Sequence, residues 1–209
     1  MRKFLIFIIA SLITVHNATA QEDVELNAAL EKATAASLSG NVQDVLITTS
    51  PRLINIMGGK EAALKMITEL YLSLDKQGIK IDTVINYKEM GIFEGNEIKF
   101  SFIPQLLVMS IPDVDKKMLN VTTLMATKEP GTEDWTFIDY NRMSKEDFEF
   151  VFPELKDVIT FPRNISPKPV VIPKEETSHA IDYLMRIIDE SAKKGKAMAR
   201  EQGLIEDYS

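Results

Sequence analysis

Cysteine is absent from this sequence of 209 residues, and its absence excludes several kinds of site at once. A disulfide, a zinc site with thiolate ligands and a lipid anchor on a processed cysteine all require that residue. Histidine is nearly absent as well: His16 lies in an apolar N-terminal segment, and only His179 follows it. A histidine-based zinc site or catalytic triad is therefore not expected, and the sequence predicts neither a metal nor a cofactor.

Long apolar runs are missing everywhere except near the N-terminus. There, Arg2 and Lys3 precede an apolar run over Phe4–Val15. A membrane-spanning helix needs about 20 apolar residues, whereas this run is shorter and contains Ser11 and Thr14. A basic start followed by a short apolar run is typical of a secretory signal peptide rather than of an uncleaved anchor.

The leader ends in a small-x-small cleavage site, in which Ala18 and Ala20 are the small residues and Gln21 follows the cut. Residues 1–20 are therefore predicted to be a signal peptide. We expect the mature chain to be periplasmic or secreted, and free of the membrane after cleavage.

Basic residues are in the minority. Removal of Arg2 and Lys3 with the leader leaves 22 basic against 31 acidic residues, a formal charge of −9. Such a charge opposes binding to phosphate backbones and to anionic lipid surfaces. Nucleic acid is therefore not an expected partner.

Hydrophobic periodicity divides the mature chain into helices, then strands, then a helical tail. Apolar residues recur at helical spacing in four N-terminal segments, 23–38, 42–47, 51–57 and 60–77. The period then changes to two, which predicts strands over 79–88, 97–103, 105–111, 117–127 and 135–140. Pro104 separates the second strand from the third. Connections this short favour hairpins, so the sheet is expected to be mainly antiparallel.

The helix predicted over 60–77 carries the clearest stripe, and we expect one buried face that contains Ala63, Met66 and Leu70. Later in the chain, Ser144 is predicted to cap a short helix with Asp147 at the reciprocal position.

The last part of the chain is predicted to be a connector and a tail. Residues 161–173 contain four prolines and are expected to be extended. Residues 174–209 are expected to form a helix whose apolar stripe packs on this domain or on another copy. The predicted fold is α+β: over 21–160, N-terminal helices pack on a curved, mainly antiparallel, cone-like sheet, and a C-terminal helix follows.

Helices followed by such a sheet resemble the nuclear transport factor two-like family, also called the cystatin-like cone. The resemblance covers Glu22–Pro162 as an order of elements, and its most specific pieces are Met57–Ala62 and Trp135–Asp139. It implies a sheet closed by helices around a pocket, which serves as an active site in some members and as a binding surface or dimer face in others. Fold alone therefore does not decide the function.

Enzymes of that family use carboxylates, tyrosines or histidines in the pocket, and Asp139 and Tyr87 are the candidates here. Asp139 would share a strand face with Trp135 and Phe137, and a carboxylate in apolar surroundings is a stronger base. The alternative is that Asp139 starts a turn and caps its own backbone. Tyr87 would donate a hydrogen bond to a ligand oxygen; the alternative is that its ring packs against the protein and its hydroxyl is in contact with water.

Apolar candidates for ligand binding are Met109, Trp135 and Phe137, because thioethers and aromatic rings adapt to apolar guests. Core packing is the alternative for Met109. We see no complete set of acid, base and oxyanion donors. The leading hypothesis is thus a non-catalytic domain that binds a small apolar ligand or a partner protein, including a second copy in a homodimer. The rival is a pocket enzyme of the isomerase or dehydratase type that uses Asp139 and Tyr87.

Overall fold

A computed structural model describes residues 24–87, 91–158 and 168–201. The predicted signal peptide and most of the predicted connector lie outside the described residues. Within them the chain is α+β, as predicted, with six α-helices and an open sheet of six strands. Every strand pair of this sheet is antiparallel.

The helices and strands follow one another in the predicted order. The helices are α1 (24–39), α2 (Val42–Thr48), α3 (Pro51–Ile56), α4 (Lys60–Lys76), α5 (Lys145–Val151) and α6 (Thr177–Glu201). The strands are β1 (Lys80–Asn86), β2 (Phe93–Gly95), β3 (Ile98–Ser110), β4 (Lys116–Lys128), β5 (Thr136–Asp139) and β6 (Val170–Pro173). A 3₁₀ turn over Tyr140–Arg142 follows β5.

The β3–β4 hairpin is the centre of the sheet. Its strands pair without interruption over twelve residue pairs, from Lys99 with Lys128 to Ser110 with Lys117. β1 pairs with the second half of β3 and β2 with its start, while β5 and β6 pair with opposite ends of β4. The short strands β2 and β6 were not predicted from the sequence.

Pro104 lies inside β3, so the prediction of two strands separated by this residue is wrong. Its carbonyl accepts a hydrogen bond of 2.8 Å from the N–H of Tyr87, just past the end of β1. The N–H and C=O of a strand residue point to the same side. The missing proline donor therefore faces the end of β1, and the β4 ladder loses no hydrogen bond.

The sheet has two covered faces. Helix α1 covers the one that we call the α1 face, where Leu26 and Leu30 pack against Ile103, Ala126 and Phe137.

The opposite face, which we call the α6 face, is covered by two helices. At one end α5 and the turn after it bury Phe100 and Met125. At the other end α6 buries Leu106, Val108 and Leu119 against Ile188. The tail helix therefore docks on the sheet of its own chain. Strand β6 precedes this helix and pairs with β4, so the last residues of the predicted connector are part of the sheet.

Strand β1 alternates differently from the prediction, which placed Ile81 and Thr83 on one face. The register shifts at Asp82, so Ile81 pairs with Met109 and Thr83 with Val108, on opposite faces of the sheet. A bulge of this kind adds one residue and reverses the alternation on one side of it.

Helix α4 is less buried than predicted. Ala63 is buried with residues of α2 and α3, but Met66 and Leu70 each remain 52% exposed. The prediction of a buried face is therefore confirmed for Ala63 and wrong for Met66 and Leu70. Helix α4 packs mainly on α2 and α3, and these two short helices cover only part of its apolar stripe.

Arg52 connects three elements that are distant in sequence. Its Nε and Nη2 donate to the two carboxylate oxygens of Glu129 at 2.7 and 2.8 Å, in the turn between β4 and β5. Its Nη1 donates to Glu154 at 2.8 Å and to the carbonyl of Val151 at 3.1 Å. The guanidinium also lies over the ring of Phe152. A bidentate pair of this kind is geometrically specific.

Replacing Arg52 with Gln should lower the free energy of unfolding by about 2 kcal/mol, between the values for exposed and buried ion pairs. The hydrogen bond from Arg52 lowers the pKa of Glu154 below its ordinary value of 4.5. A lowered folded-state pKa gives stability that is present above the unfolded value and is lost as the pH falls through the folded value. The deficit of the variant, measured by urea unfolding, should therefore shrink below about pH 4. Lys65→Gln, which removes an exposed pair with Glu69, is the control and should change stability by less than about 0.5 kcal/mol.

Docking of α6 on its own sheet predicts a large difference between two neighbouring isoleucines. Ile188 is 4% exposed and Ile187 is 42% exposed. Ile188→Ala should cost about 2–4 kcal/mol of unfolding free energy, and Ile187→Ala about 0.5 kcal/mol. Urea unfolding and limited proteolysis of the tail are the measurements. Equal effects of the two substitutions would contradict docking of the tail on this surface.

Candidate functional site

A small cleft opens between α1, α2 and the α1 face of the sheet, with a volume of about 190 Å³. Its lining combines apolar side chains with hydroxyl, amide and carboxylate groups. The lining residues are Ala33, Thr34, Ser37, Val45, Thr48, Thr49, Leu53, Gln105, Leu124, Phe137, Ile138 and Asp139.

Helix α2 forms one wall of the cleft; it is capped at its start and attached to the sheet at its end. At its start the side chain of Asn41 accepts from the backbone N–H of Gln43 at 3.1 Å and of Asp44 at 3.4 Å. At its end Thr49 bridges to Phe137, and the N–H of Ser50 donates to the carbonyl of Phe137 at 3.0 Å. The wall is therefore attached to β5, the strand that carries Phe137 and Asp139.

A chain of side-chain hydrogen bonds connects the sheet to α1 beside the cleft. Gln105 donates to the side-chain oxygen of Asn86 at 2.8 Å, and Asn86 donates to the hydroxyl of Thr34 at 2.9 Å. Gln105 is buried, so these bonds offset the cost of removing its amide from water. They fix the amide of Gln105 at the cleft wall.

Asp139 lies at the other side of the cleft, accepts two hydrogen bonds and forms one ion pair. Thr122 donates its hydroxyl proton to Oδ1 at 2.6 Å, and the N–H of Asn141 donates to the same atom at 3.2 Å. The Nε of Arg142 pairs with Oδ2 at 3.0 Å. The interpretation that Asp139 caps the following backbone is confirmed. Its side chain is still 32% exposed, so the carboxylate reaches the cleft.

Three hydroxyl groups of the lining donate their protons to helix carbonyls. Ser37 donates to Ala33 at 3.0 Å and Thr49 to Val45 at 2.7 Å. Thr48 lies 3.1 Å from the carbonyls of both Asp44 and Val45. Such back-bonding is common for Ser and Thr in helices, and it leaves only oxygen lone pairs for a ligand.

Tyr87 lies on the α6 face, where its ring packs beside Leu106 and Ile188. Its hydroxyl donates to the carboxylate of Asp189 in α6, and this hydrogen bond raises the pKa of Tyr87. Asp139 is in register with Leu124, on the α1 face. The structure therefore places the two predicted catalytic residues on opposite sides of the sheet and does not bring them together.

Of the three predicted ligand-binding residues, only Phe137 lines the cleft. Trp135 packs against Leu26 and Leu30 of α1. Met109 is buried on the α1 face, in register with Met118. Both side chains therefore pack in the core.

The polar half of the site was not predicted from the sequence. Gln105 and Thr122 are buried polar residues of β3 and β4, and they are in register with each other at the middle of the hairpin. Polar residues at inward positions of strands are the signal that could have found the site. No sequence signal indicates that α2 lines the cleft, because this depends on how the helix docks on the sheet.

Comparison of the chain with protein-family models, with curated proteins and with solved structures finds no match. Among residues 24–87, 91–158 and 168–201, no group of three or more acidic or histidine side chains is arranged to hold a metal ion. Within the same ranges, no helix combines the length and the hydrophobicity that a membrane crossing requires.

Proposed function

We propose that this chain is a non-catalytic binding domain that holds a small, largely apolar ligand in the cleft between α1, α2 and the α1 face. The observation that carries the proposal is the lining itself. Phe137, Leu124 and Val45 offer apolar contact, and Gln105 and Asp139 offer polar groups held in fixed positions. Apolar walls with a few oriented polar groups are the usual composition of a small-molecule site.

The size of the cleft limits the ligand. An apolar cavity of about 150 Å³ accommodates benzene, and drug-sized ligands occupy pockets of about 300–1,000 Å³. At about 190 Å³, this cleft suits one six-membered ring with a short substituent.

Binding is favoured over turnover by the state of the candidate catalytic groups. Asp139 already accepts two hydrogen bonds, which hold it as a cap and strand partner, and pairs with Arg142. Tyr87 donates to Asp189 on the other side of the sheet. A general base and an acid must both reach one bound substrate, and these two residues do not share a pocket.

Export and family membership are part of the same proposal. The basic start, the short apolar run and the site at Ala18–Ala20 support removal of a leader and a periplasmic or secreted location. The α+β order of helices, antiparallel strands and C-terminal helix supports the resemblance to the nuclear transport factor two-like family.

Filling the cleft tests the binding site. Val45 lines it from α2, so Val45→Phe should occupy the space that a ligand needs. Fragments of up to about ten heavy atoms are screened by ¹H–¹³C methyl NMR, and we expect binders to shift the signals of Val45 and Leu124. Their dissociation constants should rise at least about tenfold in Val45→Phe, since a clash removes more than about 1.4 kcal/mol.

Ile47→Phe is the matched control, because Ile47 lies on the same helix but is 60% exposed and does not line the cleft. It adds the same ring and should leave fragment binding unchanged. A screen in which no fragment shifts the cleft signals would overturn the proposal. Binding that survives Val45→Phe would do the same.

A further inference from the structure

We propose that the ligand of this cleft carries a cationic hydrogen-bond donor, such as a primary ammonium group, on its apolar body. This inference rests on the proposed function and adds the chemical class of the ligand. It follows from the balance of donors and acceptors in the lining and from the position of the one ionised group there.

Charge comes first. The twelve described lining residues include one acidic side chain, Asp139, and no lysine, arginine or histidine. An anionic ligand would lose its hydration without gaining a cation in the lining, which is costly. The formal charge of the whole chain, −7, adds a long-range attraction for cations.

The neutral polar groups of the lining also favour a ligand that carries hydrogen-bond donors. The hydroxyl protons of Ser37, Thr48 and Thr49 go to helix carbonyls, so these three side chains can only accept from a ligand. Donors remain at Thr34, whose oxygen accepts from Asn86, and at the second amide proton of Gln105, whose first goes to Asn86. A lining dominated by acceptors selects a ligand that brings its own donors.

Asp139 has capacity for one more hydrogen bond. A carboxylate has about four lone-pair sites; Thr122 and Asn141 donate to Oδ1, and the Arg142 guanidinium lies 3.0 Å from Oδ2 as an ion pair. Arg142 is 77% exposed, and exposed ion pairs contribute little stability. Its guanidinium can therefore move aside for an ammonium group at the cleft, whereas the bonds from Thr122 and Asn141 hold the carboxylate in place.

The test uses three probes that share one ring and differ in the polar group: cyclohexylmethylamine, cyclohexylmethanol and cyclohexanecarboxylate. Affinity is measured by methyl NMR titration of the full chain at neutral pH and low salt. We expect the amine to bind about tenfold more tightly than the alcohol, because only the ammonium group forms an ion pair with the Asp139 carboxylate in addition to a hydrogen bond. The carboxylate should not bind.

Asp139→Asn tests the carboxylate itself. The variant keeps an oxygen that can accept from Thr122 and Asn141, so we expect it to fold, and its affinity for the amine should fall about tenfold to that of the alcohol. The affinity for the alcohol should stay the same, which separates loss of charge from collapse of the cleft.

Arg142→Gln is the second variant, and its side chain is too exposed for the change to threaten folding. It should tighten amine binding about threefold, since it removes a competing cation from Asp139, and leave the alcohol unchanged.

The outcomes separate the two proposals. If the alcohol or the carboxylate binds in the cleft as tightly as the amine, the inference about charge is overturned while the binding site stands. If amine binding does not change in Asp139→Asn, the inference is overturned as well. If none of the three probes shifts cleft signals and the fragment screen is also negative, the binding site itself fails.

Discussion

Continuous pairing of β3 with β4 is the constraint on which the rest of this structure depends. Because side chains alternate strictly along paired strands, twelve consecutive pairs assign every residue of the hairpin to one face or the other. Each face is then covered by separate helices, α1 on one side and α5 with α6 on the other. Arg52 secures the end of the hairpin by tying α3 to the turn between β4 and β5 and to the residues after α5.

The candidate site arises where this pattern is interrupted. Gln105 and Thr122 are in register at the middle of the hairpin and place two buried polar side chains side by side on the α1 face. One partner holds each of them: Asn86 accepts from Gln105, and Asp139 accepts from Thr122. A buried polar group needs such a partner, and Gln105 and Asp139 form the polar edge of the cleft. The cleft is therefore a consequence of satisfying polar groups within a two-sided sheet.

Local signals in the sequence predicted much of the fold. The capping box of Ser144 and Asp147 is present, with the N–H of Asp147 donating to the Ser144 hydroxyl at 3.0 Å. The change of period after Gly78 marks the change from helix α4 to strand β1. Where prediction failed, the outcome depended on a neighbour. Pro104 is tolerated inside β3 because its nitrogen faces the end of β1, and Met66 stays exposed because α2 and α3 are too short to cover it.

The sequence by itself determined the order of helices and strands and the position of the capped helix α5, because periodicity and capping are local properties of the chain. Only the tertiary structure decided which element covers each face. That choice put Asp139 beside α2 in a cleft and Tyr87 under α6 on the opposite side. It also turned the tail back onto its own sheet rather than onto another surface. The physical reason is that burial of an apolar face is non-directional, so the pattern shows that a face needs cover but not which helix supplies it.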